Sequence, residues 1–280
     1  MPYRTIYSSA AGFVHSSLTT PPAAKFSNPP WASSADIDFA GSQPSNLVRV
    51  GTGDSSTGKQ VALSSDYGAT WNQHYGAPDN VNGGKVSISA NADTILWSTN
   101  GNGVMVSQYQ ATFSAVSSLP SGAAIASDKK TSGVFYGGSG NKFYVSGDDG
   151  KTFTVNGNLG SSTSVFDIAV HPDVTGDVWV STDQGLFHST NNGTTFAAIP
   201  GISQAWGIAL GAPKTSGGYP AVFVVANYSG VVYLRSDDQG VNWVQINDAA
   251  HGFGSASSNC ITADPRIYGR YVETHHKIKR

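Results

Sequence analysis

An eight-residue frame, Ser-x-Asp-x-Gly-x-Thr-aromatic, returns along most of this chain and limits what it can fold into. It is complete at Ser64, Asp66, Gly68 and Trp71, and again at Ser146, Asp148, Gly150 and Phe153. Two near copies follow. Asn191 stands for Asp between Ser189, Gly193 and Phe196, and Asn242 stands for Thr in the copy built on Ser236, Asp238, Gly240 and Trp243. A worn copy, SQYQATF, starts at Ser107 and is one residue short. The starts at 64, 107, 146, 189 and 236 give a period of 39 to 47 residues.

Each period carries the same lead-in: an apolar strand, a Gly-containing turn and a second alternating strand, as in TILWSTNGNGVMVS and GDVWVSTDQGLFHS. A further strand precedes each pair (ADIDFAG, VFDIAVHP, AWGIALG) and a short one follows each box (TWNQH, TFAAI, NWVQI). Four strands every ~40 to 45 residues is the pattern of a β-propeller blade. The low charge, the 33 glycines and the abundance of Ser, Thr and aromatics favour strands joined by tight turns over helices. The expectation is an all-β chain with five full blades over roughly residues 34 to 250. Residues 257 to 272 would open a sixth. The propeller domain then spans 34–272, preceded by a loop-like, Pro-containing segment 1–33 and followed by a polar tail 273–280.

The frame reads as turn hardware. The Asp or Asn oxygen and the Ser and Thr hydroxyls are expected to accept from backbone N–H groups, Gly to take a positive φ, and the aromatic to pack inside the blade. A carboxylate saturated by such donors is held at low pKa and does not serve as an acid at neutral pH, so Asp66, Asp148 and Asp238 are expected to be structural.

Several function classes fall away. Sixteen basic against 18 acidic residues leave a net charge of -2, which argues against a nucleic-acid partner. The longest apolar run, Ala221 to Ala226, is far below the ~20 residues of a spanning helix, so no membrane partner is expected. The start MPYRTIYSSAAGF lacks signal-peptide character. The single cysteine, Cys260, sits in an apolar stretch, and no His or Cys cluster has ligand spacing, so no metal and no cofactor is expected. Sialidases also use such boxes but clamp their acidic substrate with clustered arginines. The six arginines here, at 4, 49, 235, 266, 270 and 280, form no such motif.

Aromatics outside the repeat's apolar slots are the candidate sugar platforms, because sugar rings stack their apolar faces on indole and phenol rings. Trp31 in NPPWASS and Trp206 in SQAWGIALG are the two such tryptophans.

The runs SVFDIAVHPDVTGDVWVSTDQGLFHSTNNGTTF, AWGIALGAPKTSGGYPAVFVV, RSDDQGVNW and CITADPRIYGR, with AAGFVHSSLTTPPAAKFSNPPWASSADIDFAG upstream, resemble the xyloglucan-active enzymes of glycoside hydrolase family 74, over nearly the whole chain. The resemblance implies the second of two seven-bladed propellers in a secreted enzyme that cuts the β-1,4-glucan backbone of xyloglucan with inversion. Its implied partners are the polysaccharide, xyloglucan or a related β-glucan, and the family's N-terminal propeller, with one catalytic Asp on each propeller. It also sets Phe13 and His15, beside the matching Gly12-Phe13, among the substrate-contacting residues. The family's general-acid Asp aligns with Ser9, so no catalytic residue is assigned in this chain. Inverting hydrolysis needs two carboxyl groups about 6.5 to 9.5 Å apart. The expectation is therefore a xyloglucanase-type chain, weak or inactive alone; the alternative is a non-catalytic propeller that binds β-glucan or a protein.

Overall fold

A computed structural model describes residues 3–7, 10–15, 28–53, 58–247 and 261–273. Every regular element in it is a strand, and among the described residues five four-stranded antiparallel sheets follow one another in chain order. The first holds β3 (Ser33–Phe39), β4 (Leu47–Thr52), β5 (Val61–Ser64) and β6 (Asn72–Gln73). The second holds β7 (Lys85–Ile88), β8 (Thr94–Ser98), β9 (Val104–Gln108) and β10 (Ser114–Ala115). β11 (Ala124–Ser127), β12 (Phe135–Ser139), β13 (Lys142–Ser146) and β14 (Thr154–Asn158) make the third. β15 (Val165–Val170), β16 (Val178–Thr182), β17 (Gly185–Ser189) and β18 (Ala197–Ala198) make the fourth. The fifth is β19 (Gln204–Gly211), β20 (Ala221–Asn227), β21 (Val231–Ser236) and β22 (Val244–Gln245). A pair, β23 (Ile261–Ala263) with β24 (Tyr271–Glu273), comes last. Each four-stranded sheet is a simple meander, the propeller blade that the repeat predicts.

Two compact units divide the chain, Met1–Gly137 with Tyr144–Thr154 and Gly138–Phe143 with Val155–Arg280, the division running through the third sheet.

Burial follows strand position within each sheet. The second strands TILWS and VWVST are buried at every residue, as an apolar strand covered on both faces must be, while the short outer strands β10, β18 and β22 are exposed. The cores lie between consecutive sheets. Val48, Val50 and Val61 of the first sheet meet Val86, Ile88, Ile95 and Trp97 of the second. In the other unit Trp179 and Leu186 meet Ile208, Val222, Val224 and Leu234.

The segment 1–33, expected to be loop-like from its prolines, contains a hairpin. β1 (Tyr3–Tyr7) pairs antiparallel with β2 (Ala10–His15), Tyr3 opposite His15 and Thr5 opposite Phe13. The segments YRTIY and AAGFVH are rich in β-branched and aromatic residues, and that pairing preference holds upstream of the Pro-containing stretch.

Trp31 is the second departure. It is 4% exposed and packs with Leu47, Ala62 and Trp71, so it presents no open ring to a sugar. The cause lies on β4, where the Arg49 guanidinium is held 4.7 Å from the Trp31 ring centroid and 4.7 Å from that of Trp71. Arg49 also donates to the Asn28 carbonyl (2.8 Å) and to Ser34 Oγ (3.3 Å), and burial lowers its pKa to about 10. Gly51 makes room for the indole, since a Cβ there would stand 2.2 Å from a Trp31 ring carbon.

Candidate functional site

The repeated frame forms the turn between the third and fourth strands of its sheet. In the first copy Ser64 Oγ donates to Asp66 Oδ1 (2.8 Å) and accepts from Gly68 N (2.7 Å), while Thr70 donates to Asp66 through both its N–H (2.9 Å) and its hydroxyl (2.6 Å). The threonine hydroxyl therefore donates to the carboxylate, where the sequence suggested that it accepts from the backbone. Ser146, Asp148, Gly150 and Thr152 repeat the arrangement.

The two degenerate copies keep it by different means. Asn242 donates its amide to Asp238 Oδ2 (2.6 Å), replacing the lost hydroxyl donor. Asn191 instead donates its own Nδ2 to Thr195 Oγ1 (2.9 Å), which reverses the bond. Gly68, Gly150, Gly193 and Gly240 take φ between 73 and 83°, which a side chain would strain. Of the frame aromatics, Trp71 and Phe153 are buried, while Phe196 stacks edge-on against Phe143 and Trp243 packs on the core of the last two four-stranded sheets.

These bonds set the carboxylate chemistry. Hydrogen bonds from Thr70, side chain first, hold Asp66 at about 2. Burial raises Asp148, but the bonds from Thr152 and Ser146 outweigh it and leave a net lowering; the bonds from Asn242 lower Asp238. Asp183, on the β16–β17 turn, is likewise held at about 2, burial being outweighed by bonds from Thr163 and from the Ser164 N–H. Groups so placed remain ionised at neutral pH and cannot protonate a leaving oxygen.

The opposite ends of the sheets hold a second recurring feature. The first strands β3, β15 and β19 each slip register against their neighbours, between Ser34 and Asp36, between Val165 and Asp167, and between Ala205 and Gly207. The residues left in these bulges are Ala35, Phe166 and Trp206. A bulge bends a strand and re-aims its side chain. Phe166 and Trp206 sit at matching places on neighbouring sheets, and both are half-buried. Trp206 packs against the cluster of Ala209, Phe223 and Ile261. Tyr228, 41% exposed, lies on the β20–β21 turn at the same end of the fifth sheet, where Ser203 N bonds Asn227 O. Its ring lies over Gly201, where a Cβ would stand 2.6 Å from the phenol. Trp206, Phe166 and Tyr228 thus form an aromatic rim at the end away from the frame turns. Sequence reading singled out Trp206 only. The aligned runs Phe166-Asp-Ile-Ala-Val and Trp206-Gly-Ile-Ala-Leu carry the signal for Phe166, whereas nothing in the periodicity marks Tyr228.

The frame-turn end of the fourth and fifth sheets holds a polar cluster that the sequence did not announce. His188 on β17 stacks on Trp179 of β16, ring centroids 4.0 Å apart and planes at 11°. Its Nε2 lies 2.9 Å from Asp177 Oδ1 and 3.2 Å from the Tyr219 hydroxyl. Tyr219 donates to Asp177 Oδ1 (2.7 Å) and accepts from Trp179 Nε1 (2.8 Å). Burial first, and then Asp177, push the Tyr219 pKa upward, so it stays a neutral donor. His171 meets Tyr219 edge-on at 5.1 Å, and its Nδ1 accepts from Asp173 N at 3.0 Å. The cluster ties the 212–220 connection, which carries Tyr219, to the fourth sheet.

Burial lowers the pKa of His171 and of His74 below the ordinary 6.5, against the pull of Asp177 and Asp173 on His171. A histidine that resists protonation when folded leaves stability unchanged above its unfolded pKa and removes it as pH falls below that value. The melting temperature should therefore drop between pH 7 and pH 5, and His171→Gln should shallow the decline; identical slopes for the two proteins would contradict this.

Of the other residues singled out in the sequence, Phe13 and His15 lie on β2, and Ser9 lies outside the described residues. No family model matches the chain. The chain is 45% identical over 260 residues to a xyloglucanase of Hypocrea jecorina, covering 92% of this chain and 30% of that protein. It is 36% identical over 278 residues to a xyloglucanase of Paenibacillus, covering 94% and 27%. Among solved structures, the GH74 xyloglucanase from Xanthomonas campestris matches with a TM-score of 0.84 at 25% identity, and the GH74 enzyme of Niastella koreensis with 0.81 at 28%, each covering 96% of this chain and 39% of the other. With the repeated four-stranded sheets, these likenesses along more than nine tenths of its length show that the chain belongs to glycoside hydrolase family 74.

Proposed function

We propose that this chain is the second propeller of a secreted, inverting family 74 xyloglucanase and that its role is to hold the β-glucan backbone for cleavage. The observation that carries the reading is the 45% identity to a xyloglucanase over 92% of the chain. The aromatic rim supports it, since half-buried Trp206 and Phe166 with exposed Tyr228 suit the apolar faces of neutral sugars. The four frame turns, Asp-boxes of the BNR type in this reading, serve to join strands. The partner is a first propeller carrying the general base.

With Ser9 at the acid position, the 280-residue chain alone turns over xyloglucan weakly or not at all, because loss of one acid or base typically lowers the rate by on the order of 10² to 10⁴. Incubating the purified chain with xyloglucan oligosaccharides and measuring new reducing ends checks this; robust turnover overturns it. A second reading, a non-catalytic glucan-binding propeller, is favoured by the hydrogen bonds that hold Asp66 and Asp183 at about 2. Retardation in a xyloglucan gel without product release would distinguish it.

A further inference from the structure

The frame turns place their fourth residue in the left-handed region: Tyr67 at φ 59°, Asp149 at 64°, Asn192 at 58° and Gln239 at 58°, with Tyr109 at 50° in the worn copy. Asn and Asp tolerate this conformation, whereas a bulky aromatic there is strained. The first two sheets nevertheless carry tyrosine, and the rings are open, 40% exposed at Tyr67 and 79% at Tyr109.

Between them lies Tyr75, 85% exposed, on the link from β6 to β7. Its two neighbours are both fastened to the turn that carries Tyr109. His74 Nε2 lies 3.3 Å from Ser107 Oγ, and Gly76 O accepts from Phe113 N at 3.2 Å. Tyr67 thus stands on the turn that leads into β6, and Tyr75 just past the other end of β6, where the chain is fastened to the turn that carries Tyr109.

The chemistry of these segments points to their ligand. Residues 64–77 and 107–113 include no Lys, Arg or Glu, and the one carboxylate, Asp66, is engaged by Ser64 and Thr70. The other polar side chains of these two segments are Ser, Thr, Asn and Gln, with His74 buried; beside them Lys59, whose N–H bonds Gln73, is paired with Asp79 (2.7 Å), and Asp93 O accepts from Tyr109 N. A polyanion or an anionic membrane needs a cluster of cations, whereas the single lysine next to these segments, Lys59, is paired with Asp79. Flat amphipathic rings among uncharged hydrogen-bonding groups fit the face of a neutral sugar polymer.

We propose that Tyr67, Tyr75 and Tyr109 form a second binding surface for a neutral polysaccharide, separate from the Trp206 rim. Xyloglucan as its ligand rests on the proposed function; the surface itself does not. The test is affinity electrophoresis of the 280-residue chain in native gels containing xyloglucan, mannan or xylan. Each ring removed should weaken retention by roughly 2- to 12-fold, the range for one aromatic stacking contact. The triple variant Tyr67→Asn, Tyr75→Ala, Tyr109→Asn should lose binding at this surface.

Because Asn relieves the positive φ, Tyr67→Asn and Tyr109→Asn should melt no lower than the parent while binding less, which a purely structural role for the rings would not produce. Trp206→Ala should leave the tyrosine-dependent retention in place. Retention on mannan or xylan but not xyloglucan, lost in the triple variant, sinks the xyloglucan reading and keeps the surface. Retention on xyloglucan that the triple variant leaves intact and Trp206→Ala abolishes overturns the surface and keeps that reading. A parent chain retained by no neutral polymer also overturns the surface.

Discussion

Arg49→Ala should lower the melting temperature by about 6 to 20 °C. That figure takes a loss of about 3 to 5 kcal/mol for emptying a large buried site, at about 2 to 4 °C per kcal/mol for a domain of this size. Arg49 is fully buried and fills the space between Trp31 and Trp71, so its removal opens a cavity bounded by two indoles. It also leaves the Asn28 carbonyl and Ser34 hydroxyl without the donors they now accept from. Arg49→Lys should fall between, because an ammonium cannot stack on both rings as a planar guanidinium does. Arg49→Met separates packing from charge: a melt near that of the parent would mean that the stem filling the slot is what matters. A melting temperature of Arg49→Ala within about 2 °C of the parent would overturn the account.

Asp177→Ala should be comparably severe, at about 3 to 5 kcal/mol, the usual effect of removing one partner from a buried polar pair. Asp177 is 4% exposed, and its Oδ1 meets both the Tyr219 hydroxyl and His188 Nε2, so truncation removes the acceptor shared by two half-buried groups. Tyr219→Phe removes one hydroxyl and should lose about 1 to 3 kcal/mol. Because the two share a bond, their losses should not add. A double-mutant cycle followed by denaturant melts should show coupling of about 0.5 to 3 kcal/mol, and strict additivity would show that the contact carries no energy.

Much of the fold was legible from the frame alone. Five copies at a steady period predicted five four-stranded sheets, and five are observed among the described residues, with the pair β23–β24 where a sixth was expected to open. The frame was readable because its bonds close within eight residues, so residue type and spacing determine them. Even there, the bond between Asn191 and Thr195 runs in the opposite direction, because an amide nitrogen can only donate where a carboxylate oxygen only accepts.

The candidate site was less legible. Trp206 stood out because it breaks the repeat, but Phe166 becomes visible only once the bulges of β15 and β19 are matched. Trp31 broke the repeat in the same way and lies in the core, because Arg49, eighteen residues on and on β4, covers its face.

Local chemistry in the sequence thus determined the all-β class, the period, the strand order within each sheet and the hydrogen bonding of the frame carboxylates. These rest on hydrogen bonds and side-chain alternation over a few residues. The tertiary structure alone decided which aromatics are open and which are buried, and which polar groups meet. Exposure and long-range pairing depend on what the neighbouring strands and sheets bring to each position. Trp31 is sealed by Arg49, Trp206 is turned at a bulge, and His188 meets Asp177 and Tyr219 through strands and connections more than ten residues apart in the chain.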